Sequence, residues 1–316
     1  MALIAPDAAG IADCVTRLAS GEAIGMPTET VYGLAANACN AAAIADIYAL
    51  KARPRFNPLI CHVATPAHAM QLGVFNAAAK KLAAAFWPGP LTLVVPRQAD
   101  CPIDPLACAG LDTLALRVPA HATAQALLKA FDGPLVAPSA NPSGRLSPST
   151  AAHVAALLPD LHILDGGACE VGLESTIIGC LDETPLWLRA GGLSRQEIGA
   201  CLGVMPQDVP DHEDATAKLA PGRLARHYAP QSELRLNAQS AQDGEWLIGF
   251  GPNAPADCVA NLSPSGDMAE AAANLFAVLH HCDTQALKAD KSLAIMPISK
   301  DGLGEAINDR LSRAAN

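Results

Sequence analysis

Aromatic residues make up only 4% of this 316-residue chain, and charged residues only 16%. With so few large rings the core must be built from Ala, Val, Leu and Ile, and alanine alone supplies 64 residues. A hydrophobic fraction of 51% beside so little charge excludes a disordered chain. Cations are scarcer than anions, 21 Lys plus Arg against 31 Asp plus Glu, for a formal net charge of −10. That excludes a non-specific nucleic-acid binder, which needs a basic surface to displace counterions. No run reaches the roughly 18 apolar residues of a bilayer span; the alanine-rich stretch 77–87 is broken by Lys80 and Lys81. The opening MALIAPDAAGIADCV has no basic segment ahead of an apolar run, so no secretory signal is expected and the chain reads as cytoplasmic. None of its ten cysteines forms a C-x-x-C pair, which argues against a zinc or thioredoxin-like site and for reduced, mostly buried thiols. Walker A, G-x-G-x-x-G, G-x-S-x-G and H-E-x-x-H patterns are also missing, so any phosphate site lacks a standard Gly-rich cradle.

What is present is an alternation of apolar strand-length runs with helical spacing. Helices are expected over 10–20, 40–50 (with Asn40 as N-cap), 76–86 and 121–131. Strands are expected in 21–28, 58–64, 91–96, 114–119, 134–141, 161–167, 175–181 and 186–192. This mixture indicates an α/β domain over 1–202. Residues 203–231 are polar and proline-rich and read as a linker. A smaller α/β module follows over 232–316, with four short strands, a helix over 267–282 and a closing helix. Net charge is −4 over 1–200 and −6 over 201–316, so neither part is a basic arm.

Four constellations can carry chemistry. Lys51, Arg53 and Arg55 lie within five residues, and Pro54 and Pro58 force them onto an irregular loop. Such a loop can present a point charge and guanidinium forks to phosphate, although a solvated basic turn reads the same locally. Ala137–Gly144 (APSANPSG), with Ser147 beyond it, follows an apolar strand, where α/β folds place ligands. Pro27–Leu34 (PTETVYGL) puts Glu29, Thr30 and Tyr32 at another strand end; a strand-to-helix connection capped by Thr30 is the plainer alternative. Ser175 and Arg189 flank short apolar strands, and His62 and Arg117 sit inside LICHVA and LALRVP. A buried Arg needs a partner. These rules stop at an α/β enzyme with an anionic or nucleotide ligand.

Taken in order, PTETVYGL, the K-x-R and N-P-L segment, FWPGPLT, LRVP, APSAN with its following SG, the EST-I segment, LRAGG and the linker's APGRLARHYAP resemble the threonylcarbamoyl-AMP synthase family. The resemblance is to its long two-domain form. It implies a YrdC-like first domain with a twisted mixed sheet and a concave site, and a smaller Rossmann-like α/β second domain. It implies nucleotidyl transfer: L-threonine, bicarbonate or CO2, and ATP give threonylcarbamoyl-AMP and pyrophosphate, for N6-threonylcarbamoyladenosine modification of tRNA. Carried onto matching positions, Thr30, His62, Arg117 and Ser175 hold L-threonine, with Arg117 on its carboxylate. Arg53, Asn57, Ser139, Asn141, Ser147, Arg189 and Tyr228 hold ATP, and Lys51 and Arg53 serve the reacting phosphate. Mg2+ accompanies ATP with no protein side chain assigned to it, and a linker lid closes over the site across 218–230. A separate tRNA threonylcarbamoyltransferase complex takes the product, so no tight direct nucleic-acid binding and no membrane are expected. The alternatives are a YrdC-like RNA-binding or ribosome-assembly module and a carbamoyl-adenylate-forming transferase. Ala52, Leu173 and Ala220 depart from the family pattern.

Overall fold

The computed structural model describes residues 2–54, 56–209 and 227–315. Arg55, most of the expected linker and most of the expected lid therefore lie outside the described residues. The first domain is one mixed sheet of short strands. Its order is β1 (Leu3–Ile4), β8 (His162–Leu164), β2 (Ile24–Met26), β3 (Gly33–Asn37), β7 (Leu135–Val136), β4 (Ile60–His62), β6 (Thr113–Arg117), β5 (Leu91–Pro96), β9 (Thr176–Gly179), β10 (Leu186–Arg189) and β11 (Gln207–Asp208). Around it lie α1 (Ala8–Ser20), α2 (Ala41–Leu50), α3 (Pro66–Leu72), α4 (Ala77–Phe86), α5 (Ala122–Phe131), α6 (Ala151–Leu157) and α7 (Arg195–Leu202). The second domain is an all-parallel sheet, β12 (Leu234–Arg235), β15 (Ser292–Ile295), β13 (Glu245–Gly249) and β14 (Ala260–Asn261), with α8 (Met268–Ala289) and α9 (Gly304–Ala314). The chain thus has the expected α/β architecture, mixed in its first sheet and parallel in its second.

Local chemistry starts the helices where the residue pattern places them. Asn40 caps α2 by accepting from Ala42 and Ala43, and Asp7 caps α1 through Gly10. Ser194 and Glu197 form a reciprocal capping box on α7. Three differences have physical reasons. Thr30 caps no helix; Gly33–Asn37 is a strand antiparallel to β2, and its small residues, nearly all buried, carry no legible period. Residues 207–208, read as linker, add a parallel edge strand to β10. Helix α8 runs to Ala289, past the expected end at 282, because Cys282, Asp283 and Ala286 continue its buried stripe.

One apolar core runs through both domains. Tyr228 and Phe276 of α8 stand inside it with ring centroids 5.8 Å apart, joining the first sheet's core to the second's. Close approach also requires Gly172, at φ 70°: a Cβ there would collide with the backbone of Ala272 and Ala273 on α8. Beside this contact His153 of α6 stacks on His280 of α8, centroids 4.2 Å apart. Burial, then the neighbouring His280, push His153 down to about 4. Burial also lowers His280, against the opposing pull of the Ser147 carbonyl and Asp283.

An unfolded histidine takes its proton near 6.5, the half-buried His153 only near 4. Between those values the unfolded chain binds more protons, so stability falls as pH drops from about 6.5 toward 4. Denaturant unfolding at pH 7.5, 6 and 5 should show this loss, and His153→Gln should flatten part of the slope. An unchanged slope in that variant would place the protons elsewhere.

Candidate active site

Strands β4 and β6 are parallel and in register, with His62 opposite Arg117. Both side chains therefore emerge side by side at the strand ends. Facing them are the β2–β3 connection with Thr28 and Thr30, the segment after β7 with Ser139, Ser175 just before β9, and Arg189 at the end of β10. Gly33 bridges Ser139 directly. Gly191 of LRAGG has no Cβ because one would strike the backbone of Glu174, Ser175 and Thr176. These elements enclose a cavity of about 590 Å3, counting its open mouth, lined also by Arg53, Glu174, His227 and Tyr228.

Eight of the twelve residues singled out from the sequence line this cavity: Thr30, Arg53, His62, Arg117, Ser139, Ser175, Arg189 and Tyr228. Arg117 donates from Nε to the Gly89 carbonyl and from Nη1 to Thr30 Oγ1 at 2.8 Å. Thr30 passes its own hydrogen to Thr28 Oγ1, since Thr28 donates to the Val31 carbonyl. Ser175 shares hydrogen bonds with Thr92 and Arg189, and Arg189 also donates twice to the Ser175 carbonyl. Arg53 donates to the carbonyls of Asn57 and Pro58; burial pulls it down to about 10, so it stays charged at neutral pH. His62 hydrogen-bonds the Ile60 carbonyl through Nδ1, which makes Nε2 its acceptor. Burial and the nearby Arg117 charge push His62 down to about 3, so the ring is neutral.

The other four stand behind the wall. Lys51, expected beside the reacting phosphate, does not line the cavity. Its Nζ contacts the carbonyls of Ser139 (2.5 Å) and Asn141, tying the cationic loop to the APSAN loop. Burial, then Arg53, lower its pKa well below the ordinary lysine value. Asn57 offers its carbonyl to Arg53 and Tyr48, and the Asn141 side-chain amide donates to Pro142 and Arg145. Ser147 donates to Glu174 at 2.5 Å.

A family model described as "Telomere recombination" matches residues 16–191, and one described as "Threonylcarbamoyl-AMP synthase, C-terminal domain" matches residues 193–316. The threonylcarbamoyl-AMP synthase of Pyrococcus abyssi is 39% identical across 93% of this chain and 91% of its own length. The chain belongs to the threonylcarbamoyl-AMP synthase family. It is an enzyme of the nucleotidyltransferase type. The Bacillus subtilis threonylcarbamoyl-AMP synthase is 41% identical across 75% of this chain and 69% of its own length. The fold matches P. abyssi Sua5 solved in complex with L-threonine, with a TM-score of 0.89 at 33% identity, over 100% of this chain and 98% of that one. E. coli YciO shares the fold of the first domain, with a TM-score of 0.54 at 22% identity over 60% of this chain and 94% of its own.

The second domain braces the wall of the cavity from behind, which the sequence did not signal. Arg310 of α9 is 1% exposed and reaches Glu174 Oε2 at 3.0 Å, the Ala190 carbonyl at 2.7 Å, and the Tyr228 ring at 5.3 Å. Glu174 thereby joins Ser147, Arg310 and the cavity wall. Burial alone would raise its carboxyl, but Arg310 and Arg189 hold it below the usual value. The signal in the sequence was faint: Arg310 looks like one more charge on an exposed-looking terminal helix. Removing one member of a buried pair leaves the other charge uncompensated, at about 3 to 5 kcal/mol. Arg310→Ala should therefore lower unfolding stability by that order in chemical denaturation. Arg17→Ala, which breaks an exposed pair on α1, should leave it nearly unchanged.

Proposed function

We propose that this cavity is where the enzyme assembles threonylcarbamoyl-AMP, with L-threonine at the β4–β6 end and ATP toward Arg53 and Arg189. The observation that carries this reading is the convergence on one wall of neutral His62, Thr30, Ser175 and three guanidinium groups. Threonine is taken by Arg117 through its carboxylate, with Thr30 and Ser175 beside it and His62 Nε2 as an acceptor for its hydroxyl. Its amine and bicarbonate give a carbamate and water. A carbamate oxygen attacks the α-phosphorus of ATP, and pyrophosphate leaves with the electrons of the broken P–O bond.

No side-chain nucleophile is needed. Such a transfer depends on alignment and on positive charge where negative charge develops. Arg53 and Arg189 supply that charge, and Ser139 and Tyr228 flank the nucleotide. Lys51 acts as a positioning residue, holding the loops that carry Arg53 and Ser139, and Asn57, Asn141 and Ser147 support the same loops. Mg2+ enters as part of the MgATP substrate. Among the described residues no group of three His, Cys, Asp or Glu is arranged to hold a metal, and Glu174 is committed to Arg310 and Ser147. A carbamate hydrolyses readily in water, so the site works best closed, and Tyr228 at φ 62° already forms part of its wall.

The product goes to a separate threonylcarbamoyltransferase complex that acts on tRNA. The net charge of −10 agrees with leaving RNA to that partner. The reaction is proposed to run in the cytoplasm. Among the described residues no helix is long and apolar enough to cross a membrane.

Pure protein with ATP, Mg2+, L-threonine and labelled bicarbonate should release pyrophosphate and form a labelled adenylate, with each component required. Release that ignores threonine would sink this reading. Arg53→Ala should lower kcat/KM for ATP by about 100-fold or more, the scale seen when one charge-stabilising donor is lost. Lys51→Ala should do likewise, with a lower melting temperature as well.

A further inference from the structure

Glu29 has no part in the chemistry above, yet it is 5% exposed and ionisable. It does not line the cavity. It stands behind Arg117, with Oε1 2.7 Å from Nη2. The two opposite charges meet out of water, which makes this a buried ion pair. Burial alone would raise the Glu29 carboxyl; the Arg117 charge keeps it below its ordinary value. Meanwhile Gly89 takes Nε and Thr30 takes Nη1. The guanidinium is thus fixed on three sides, by Gly89, Thr30 and Glu29.

We infer that Glu29 is a positioning residue that both orients Arg117 and neutralises its charge, so that this end of the cavity takes a zwitterionic amino acid of zero net charge and does not trap a second phosphate. The inference rests on the reading of the cavity given above. Its physical basis is simple. Without Glu29, Arg117 would add an uncompensated cation at the far end from Arg53 and Arg189, Glu174 being already paired with Arg310, and a polyanionic substrate would find a site at either end. An ion pair at Arg117 removes the net charge there without using all five N–H donors of the guanidinium, since Gly89, Thr30 and Glu29 engage three, so a carboxylate can still be held. Glutamate in PTETVYGL therefore sets which substrate occupies which end.

The test is steady-state kinetics of Glu29→Ala and Glu29→Gln in the full-length protein, with inorganic phosphate as the probe anion. In Glu29→Ala the KM for threonine should rise at least about tenfold, the scale of one charged contact. The KM for ATP should stay within about twofold. Phosphate should become an inhibitor competitive with threonine, which a merely structural defect would not produce. Glu29→Gln keeps an oxygen near Nη2 without the charge, so it should largely restore the KM for threonine and retain the phosphate inhibition. If Glu29→Ala does not fold, Glu29→Gln still carries the phosphate readout. Unchanged threonine KM and no new phosphate inhibition, in an enzyme whose wild type requires threonine, would overturn the inference alone. A wild type that does not require threonine would overturn the reading of the cavity, and this inference with it.

Discussion

Burial of positive charge is the constraint around which the site is built. Lys51, Arg53, Arg117, Arg189 and Arg310 are each less than 9% exposed, in a chain that has few cations to begin with. A guanidinium taken out of water without partners is prohibitively unfavourable. The structure meets that demand in two ways. Backbone carbonyls at Gly89, Asn57, Pro58, Ser175 and Ala190 accept from the arginines, and two buried carboxylates, Glu29 and Glu174, compensate Arg117 and Arg310. The same low-polarity surroundings that make burial demanding also strengthen each cation toward a substrate anion.

The second constraint is that the second domain packs against the wall of the cavity. Arg310 enters from the last helix, His280 of α8 hydrogen-bonds the Ser147 carbonyl, and Asp283 of the same helix accepts the backbone amides of Gln231 and Ser232. That last contact anchors the chain just after Tyr228, whose ring packs between Phe276 and Arg310. Ala229 is bridged to Arg145 as well. The C-terminal domain therefore acts on the site mechanically, through the loop that carries Ser147 and the segment that carries Tyr228. Two neutral histidines, His62 and His227, line the cavity, and burial holds each at about 3. They contribute hydrogen-bonding capacity and no charge.

Much of this was legible in one dimension. Alternating strand and helix patterns announced an α/β chain, Asn40 announced α2, and the ordered motifs pointed to the family and to eight residues that do line one cavity. Those signals survive because they are local: a cap, an apolar run and a motif each act on their own few residues. What stayed hidden was non-local or without period. Gly33–Asn37 is nearly all buried, so no alternation betrayed a strand. Only the fold reveals that the Ser139 and Asn141 carbonyls lie within reach of Lys51.

The sequence by itself determined the charge scarcity, the order of elements and the residue types available for chemistry. The tertiary structure alone decided which cations face the cavity and which carboxylates stand behind them. Arg117 and Glu29 are 88 positions apart and Arg310 and Glu174 are 136 apart, so no local pattern could pair them. Pairing of buried charges follows from the geometry of a closed low-dielectric space, and that space exists only once the two sheets have packed.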